Sequence, residues 1–101
     1  MKRALLLYCF LFSAILVIAQ EEIIVLETST GNIEGTLLLP SNEKPPVVLI
    51  IAGSGPTDRN GNNPSLKNNS LLMLAQGLFE NNIASLRFDK RGIGASVGAF
   101  K

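Results

Sequence analysis

An α/β fold is predicted, in which an antiparallel hairpin leads into a strand-helix-strand crossover of a mainly parallel sheet. Three observations predict it. Residues 47–52 (Val-Val-Leu-Ile-Ile-Ala) are apolar without alternation, the pattern of a strand covered on both faces by helices. Leu71, Leu74, Ala75 and Leu78 recur at helical spacing, which places one apolar face on a helix. Residues 83–88 (Ile-Ala-Ser-Leu-Arg-Phe) then supply a second strand, and strand, helix, strand in that order joins parallel neighbours.

The chain opens on Met1-Lys2-Arg3 and an apolar run from Ala4 to Ala19 in which Ser13 is the clearly polar residue. A positive start, a short apolar stretch and a small residue at its end are the parts of a secretory signal peptide. Cleavage is expected after Ala19, which divides the chain into a signal peptide at 1–19 and a body at 20–101. The alternative is an uncleaved anchor, because the run approaches the length of about 20 residues that spans a bilayer. A lipoprotein anchor on Cys9 is disfavoured by the bulky Tyr8 before it and the few apolar residues upstream. A secreted or periplasmic body with no stable membrane anchor is the expectation.

Without Lys2 and Arg3 the basic residues no longer outnumber the 8 acidic ones, and the body carries a slight negative charge. Phosphate backbones are bound by concentrated Lys and Arg, so no nucleic-acid partner is expected. The single Cys lies in the leader, and the body therefore has no disulfide and no Cys-based metal site. With 47% hydrophobic and 17% charged residues the composition is that of a folded domain rather than a disordered chain.

Residues 23–28 and 33–39 are β-branched and apolar, with Ser29-Thr30-Gly31-Asn32 between them, which reads as a hairpin. Pro40 ends its second strand, since proline has no N–H to give a ladder. After the buried strand come Gly53-Ser54-Gly55-Pro56 and a loop from Thr57 to Asn69 dense in turn formers. The helix is expected from Ser70, as N-cap, to Glu80, with Asn81-Asn82 ending it. The second strand runs into Asp89-Lys90-Arg91-Gly92-Ile93-Gly94-Ala95-Ser96. Both crossover strands thus end in glycine-rich loops, at the side of an open sheet where ligands bind.

The apolar strand entering Gly53-Ser54-Gly55-Pro56, the Asp58-Arg59-Asn60-Gly61-Asn62 loop and the strand entering Asp89 to Ser96 resemble the α/β-hydrolase superfamily in local sequence and in order. The likeness is to its secreted esterase and serine-aminopeptidase-like branch and covers roughly residues 23–98. It implies that 20–101 is the N-terminal, truncated portion of an α/β-hydrolase domain. It further implies that the Ser54 backbone N–H is an oxyanion-hole donor and that Gly53 and Gly55 shape the loop around it. The family's usual His before this loop is Ala52 here, which removes that anchor. A small-molecule ester is the implied substrate, with a peptide bond as the alternative, and no cofactor is implied. A tight turn after a strand is the plainer reading of Gly53 to Pro56. For Asp89 to Ser96 it is a scaffolding role, with Arg91 paired to Asp89 or to Asp58.

Gly94-Ala95-Ser96-Val97-Gly98 matches the G-x-S-x-G pattern of a serine nucleophile. A nucleophile elbow needs a strand running directly into the turn and a helix after it, and neither is predicted around Ser96. The chain contains no histidine, so no Ser-His-Asp arrangement can be completed within it. In the resembling family the nucleophile, acid and His follow in that order downstream, outside this chain, and the isolated 101 residues are expected to be inactive. No Walker A or dinucleotide-binding glycine motif is present. The competing expectation is a small secreted, non-enzymatic binding module.

Overall fold

The computed structural model describes residues 20–41 and 44–100, and the expected leader lies outside them. Strands β1 (Gln20–Thr28) and β2 (Gly31–Leu39) form the hairpin, followed by β3 (Val47–Ile50), helix α1 (Ser70–Glu80), β4 (Ala84–Phe88) and a 3₁₀ turn at Gly94–Ser96. The strands make one sheet in the order β1-β2-β4-β3.

The expectation of an α/β-hydrolase fold with a mainly parallel sheet is overturned. β1 pairs antiparallel with β2, and β2 antiparallel with β4, while only β3 and β4 run parallel. Among the described residues α1 is the one α-helix, so this is a small, sheet-dominated domain with a mixed sheet. The hairpin does not stand apart from the crossover unit. Its second strand docks on β4 from Gly35 opposite Phe88 to Leu38 opposite Ser85, because the free ladder groups of β2 and β4 satisfy one another.

Side chains alternate across a sheet, and the registers sort them. Leu38 and Ile50 fall on the face that receives α1, where Ala75, Leu71, Leu78 and Phe79 pack against them. Leu74, expected in that stripe, is 48% exposed. Phe79 takes its place: residues 71, 75, 78 and 79 span an arc as wide as 71, 74, 75 and 78 do, rotated around the helix toward Phe79.

Burial of the third strand on both faces is a second corrected expectation. Val47, Leu49 and Ile51 are exposed, and only Ile50 and Ala52 are buried. β3 stands at the sheet's edge beside β4 alone, and α1 covers one face. On the other face Ile24, Leu26, Ile33, Gly35, Leu49, Leu86 and Phe88 line an open apolar concavity of about 230 Å³.

Ser70 is not the N-cap but the first helical residue; Asn69 caps in the left-handed region with φ 54°. Asn60 replaces the missing side-chain cap. Its carbonyl accepts the N–H groups of Leu71 at 3.1 Å and Leu72 at 3.4 Å, donors that a helix start otherwise leaves unsatisfied. At the other end Asn82 turns the chain with φ 62°.

Candidate functional site

The loops after β3 and β4 meet where the two parallel strands end side by side. Gly53, Ser54 and Gly55 are all exposed. Gly55 has φ +85°, a conformation that glycine adopts without penalty, and a Cβ on either glycine would meet open space. Gly53 has no positive φ, so the backbone does not itself demand a glycine there. The Ser54 N–H donates to no group among the described residues. The turn is closed behind it by the Thr57 N–H donating to the Gly55 carbonyl at 2.9 Å.

Lys90, from the loop after β4, reaches across to this turn. Its Nζ donates to the Gly53 carbonyl and, at 2.8 Å, to the Gly55 carbonyl. Beside the turn a cleft of about 390 Å³ opens between the two loops, lined by Pro56, Asp58, Asn62, Asn63, Pro64, Gly92, Ile93 and Gly94.

Beneath the cleft lies a buried polar cluster whose centre, Arg59, the sequence reading passed over. Its guanidinium bridges Glu34 at 2.5 Å and Asp89 at 3.0 Å, and Nη1 donates to Thr36 at 2.7 Å. The Arg59 backbone N–H adds a bond to Asp89 at 2.8 Å, and the Ala95 N–H another at 2.9 Å. Burial pushes the Asp89 carboxyl up, but the Arg59 guanidinium and the two backbone donors outweigh it and hold the group below its ordinary range. Arg59 answers in kind: burial lowers its pKa, and the bonds to Asp89 and Glu34 more than restore it.

Arg91, expected on Asp89 or Asp58, bonds neither. Its Nη1 donates to Thr30 at 2.5 Å and Thr28 at 3.3 Å, on the hairpin turn. Asp58 instead accepts the N–H groups of Asn60 and Asn62 on one oxygen, at 2.8 and 3.0 Å, folding the Asn-rich loop on itself. The hint of Arg59's role in the sequence is its place between Asp58 and the Asn60-Gly61 turn.

Ser96 is fully buried. Its hydroxyl donates to the Asp89 carbonyl at 2.7 Å and accepts the Glu34 N–H at 2.9 Å. A nucleophile needs an exposed Oγ beside a base; this one ties the β4 loop to β2.

Arg87 is also buried, donates from Nε to Asn60 at 3.3 Å, and leaves Nη1 without a partner among the described residues. Burial lowers its pKa, with the charge of Glu21 opposing. Among the described residues no group of His, Cys, Asp and Glu gathers to hold a metal ion, and no helix is long and apolar enough to cross a membrane. Compared with known proteins, this chain matches no family model and no curated protein sequence.

Proposed function

We propose that this chain supplies the oxyanion-binding part of a secreted serine hydrolase acting on carboxylic esters, with the nucleophile and its histidine on residues outside these 101. The observation that carries this reading is the exposed Gly53-Ser54-Gly55 turn, whose central N–H has no acceptor among the described residues and which leads into Pro56 on the wall of an open cleft. Likeness of the two loops to α/β-hydrolase esterases supports it; the mixed sheet lends it nothing.

In the reaction a serine attacks the ester carbon while histidine takes its proton, and the carbonyl oxygen becomes an anion. The Ser54 N–H donates to that anion. Collapse expels the alcohol, which takes the proton back from histidine, and water then releases the acid by the same steps. A fixed backbone donor acts by being aimed before charge develops, and losing one such donor slows turnover about 100-fold or more.

The test is to label the product of the whole reading frame with a fluorophosphonate and map the modified residue. A labelled serine outside residues 1–101, following a strand and preceding a helix, is the expected result. No labelling, in a frame that encodes no such serine, removes the proposal. It would favour the second reading, a non-enzymatic binding module, which the open apolar concavity on the far sheet face supports.

A further inference from the structure

We infer that Lys90 is a positioning residue for the Ser54 N–H: its ammonium fixes the peptide plane that carries this donor. The inference rests on Ser54 as the oxyanion donor and adds the group that aims it.

The geometry is that of one peptide unit. The Gly53 carbonyl and the Ser54 N–H belong to the same planar amide, and no described peptide bond is cis, so the two point in opposite directions. Whatever grips the carbonyl therefore sets the direction of the N–H. Lys90 Nζ grips it, and its second bond, to the Gly55 carbonyl, pins the backbone on the other side of Ser54. Two contacts bracketing one residue stop the plane from rotating, where a single contact would leave it a pivot.

Lys90 is also unusual in its choice of partners. Both ion pairs among the described residues are made by Arg59, while the Lys90 bonds run to neutral carbonyls 35 and 37 residues away. A cation on an amide oxygen draws electron density from the nitrogen and strengthens the N–H as a donor, as linked hydrogen bonds polarise one another.

The first measurement needs no catalysis. In the exported chain with 13C-labelled glycine carbonyls, Lys90→Met should shift the Gly53 and Gly55 carbonyl resonances upfield and leave Gly77, in mid-helix, unmoved. Lys90→Arg should stay close to wild type. Unchanged Gly53 and Gly55 shifts, in a variant whose circular dichroism matches wild type, overturn the clamp. If Lys90→Met fails to fold, the same shifts read in Lys90→Gln decide the point, and Gly53 and Gly55 resonances that stay at their wild-type positions there overturn the clamp.

The second measurement uses the longer enzyme proposed above. Lys90→Met should lower kcat on a short-chain ester about tenfold, less than outright loss of a donor, with KM unchanged and Lys90→Arg restoring most of the rate. Labelled enzyme with a wild-type kcat in Lys90→Met overturns the positioning role alone. A wild type that reacts with no serine probe removes the hydrolase reading and the purpose of the clamp with it, while the carbonyl shifts still decide whether the clamp exists.

Discussion

Asp89 is where the two loops are joined, since one carboxylate holds the Arg59 side chain, the Arg59 backbone and the Ala95 backbone. Asp89→Asn would leave the Arg59 cation buried against Glu34 alone. Breaking a buried pair costs about 3 kcal/mol or more, and urea denaturation should show a loss of that size. Because the folded pKa of Asp89 lies below its ordinary value of 3.8, the carboxylate stabilises the fold fully above that pH. Its contribution drains away as pH falls through the folded value. An acid titration followed by fluorescence of an added dye should find wild type losing stability below about pH 4, with Asp89→Asn nearly flat there. Gly94 guards the same carboxylate: a Cβ on it would lie 2.5 Å from Asp89 Oδ2, at φ +52°. Gly94→Ala should therefore cost at least about 1–2 kcal/mol from backbone strain alone. At this scale little was readable beforehand. Arg91 looked like the partner of Asp89 by nearness in sequence, whereas the true partner lies 30 residues away. A turn-rich loop gives no periodic signal that its one arginine, Arg59, points inward.

The loop from Thr57 to Asn69 and helix α1 behave as one element. Asn60 caps the helix with its carbonyl and accepts from Arg87 with its side chain, while Asn62 gathers the N–H groups of Asn68 and Asn69 on its side-chain oxygen. Gly61 makes that possible with φ +88°, and a Cβ there would press on the Ser70 hydroxyl and stand 3.0 Å from the Leu71 nitrogen. Gly61→Ala should fray the first turn of α1, seen as faster amide exchange at Leu71 and Leu72 with the Leu78 amide little changed. Element positions were legible because periodicity is a local property. Residues 70–80 form the expected helix, and the hairpin and both crossover strands lie where composition put them, within a few residues. Partners were not legible. An unbroken apolar run states that Val47 to Ile51 suit burial on two faces, but it does not state that anything in these residues covers the second face, and here Leu49 remains 56% exposed.

For the molecule as a whole, that uncovered face is the main liability. An apolar concavity beside an edge strand invites association, so residues 20–101 should bind an apolar dye and self-associate with rising concentration. Leu49→Lys places a charge in the concavity and on the edge strand. It should reduce both effects while moving Tm by little, and unchanged dye binding would show that another surface is responsible. The mixed sheet was hidden from sequence for a related reason: pairing β2 with β4 is a contact across about 50 residues, and no local pattern encodes it. A last consequence concerns time rather than stability. Gly31 sits so close to Ala99 that a Cβ would come within 2.6 Å of it, the Phe100 N–H donates to the Thr30 carbonyl, and Ser96 accepts from Glu34 across 62 residues. The hairpin made first by a ribosome is thus sealed by residues made some 60 to 70 positions later. Until they emerge its turn stays open and Arg59 faces a lone Glu34. The slow step of assembly is closure of that long loop, and a nascent chain halted before Asp89 should be digested by protease as readily as an unfolded one.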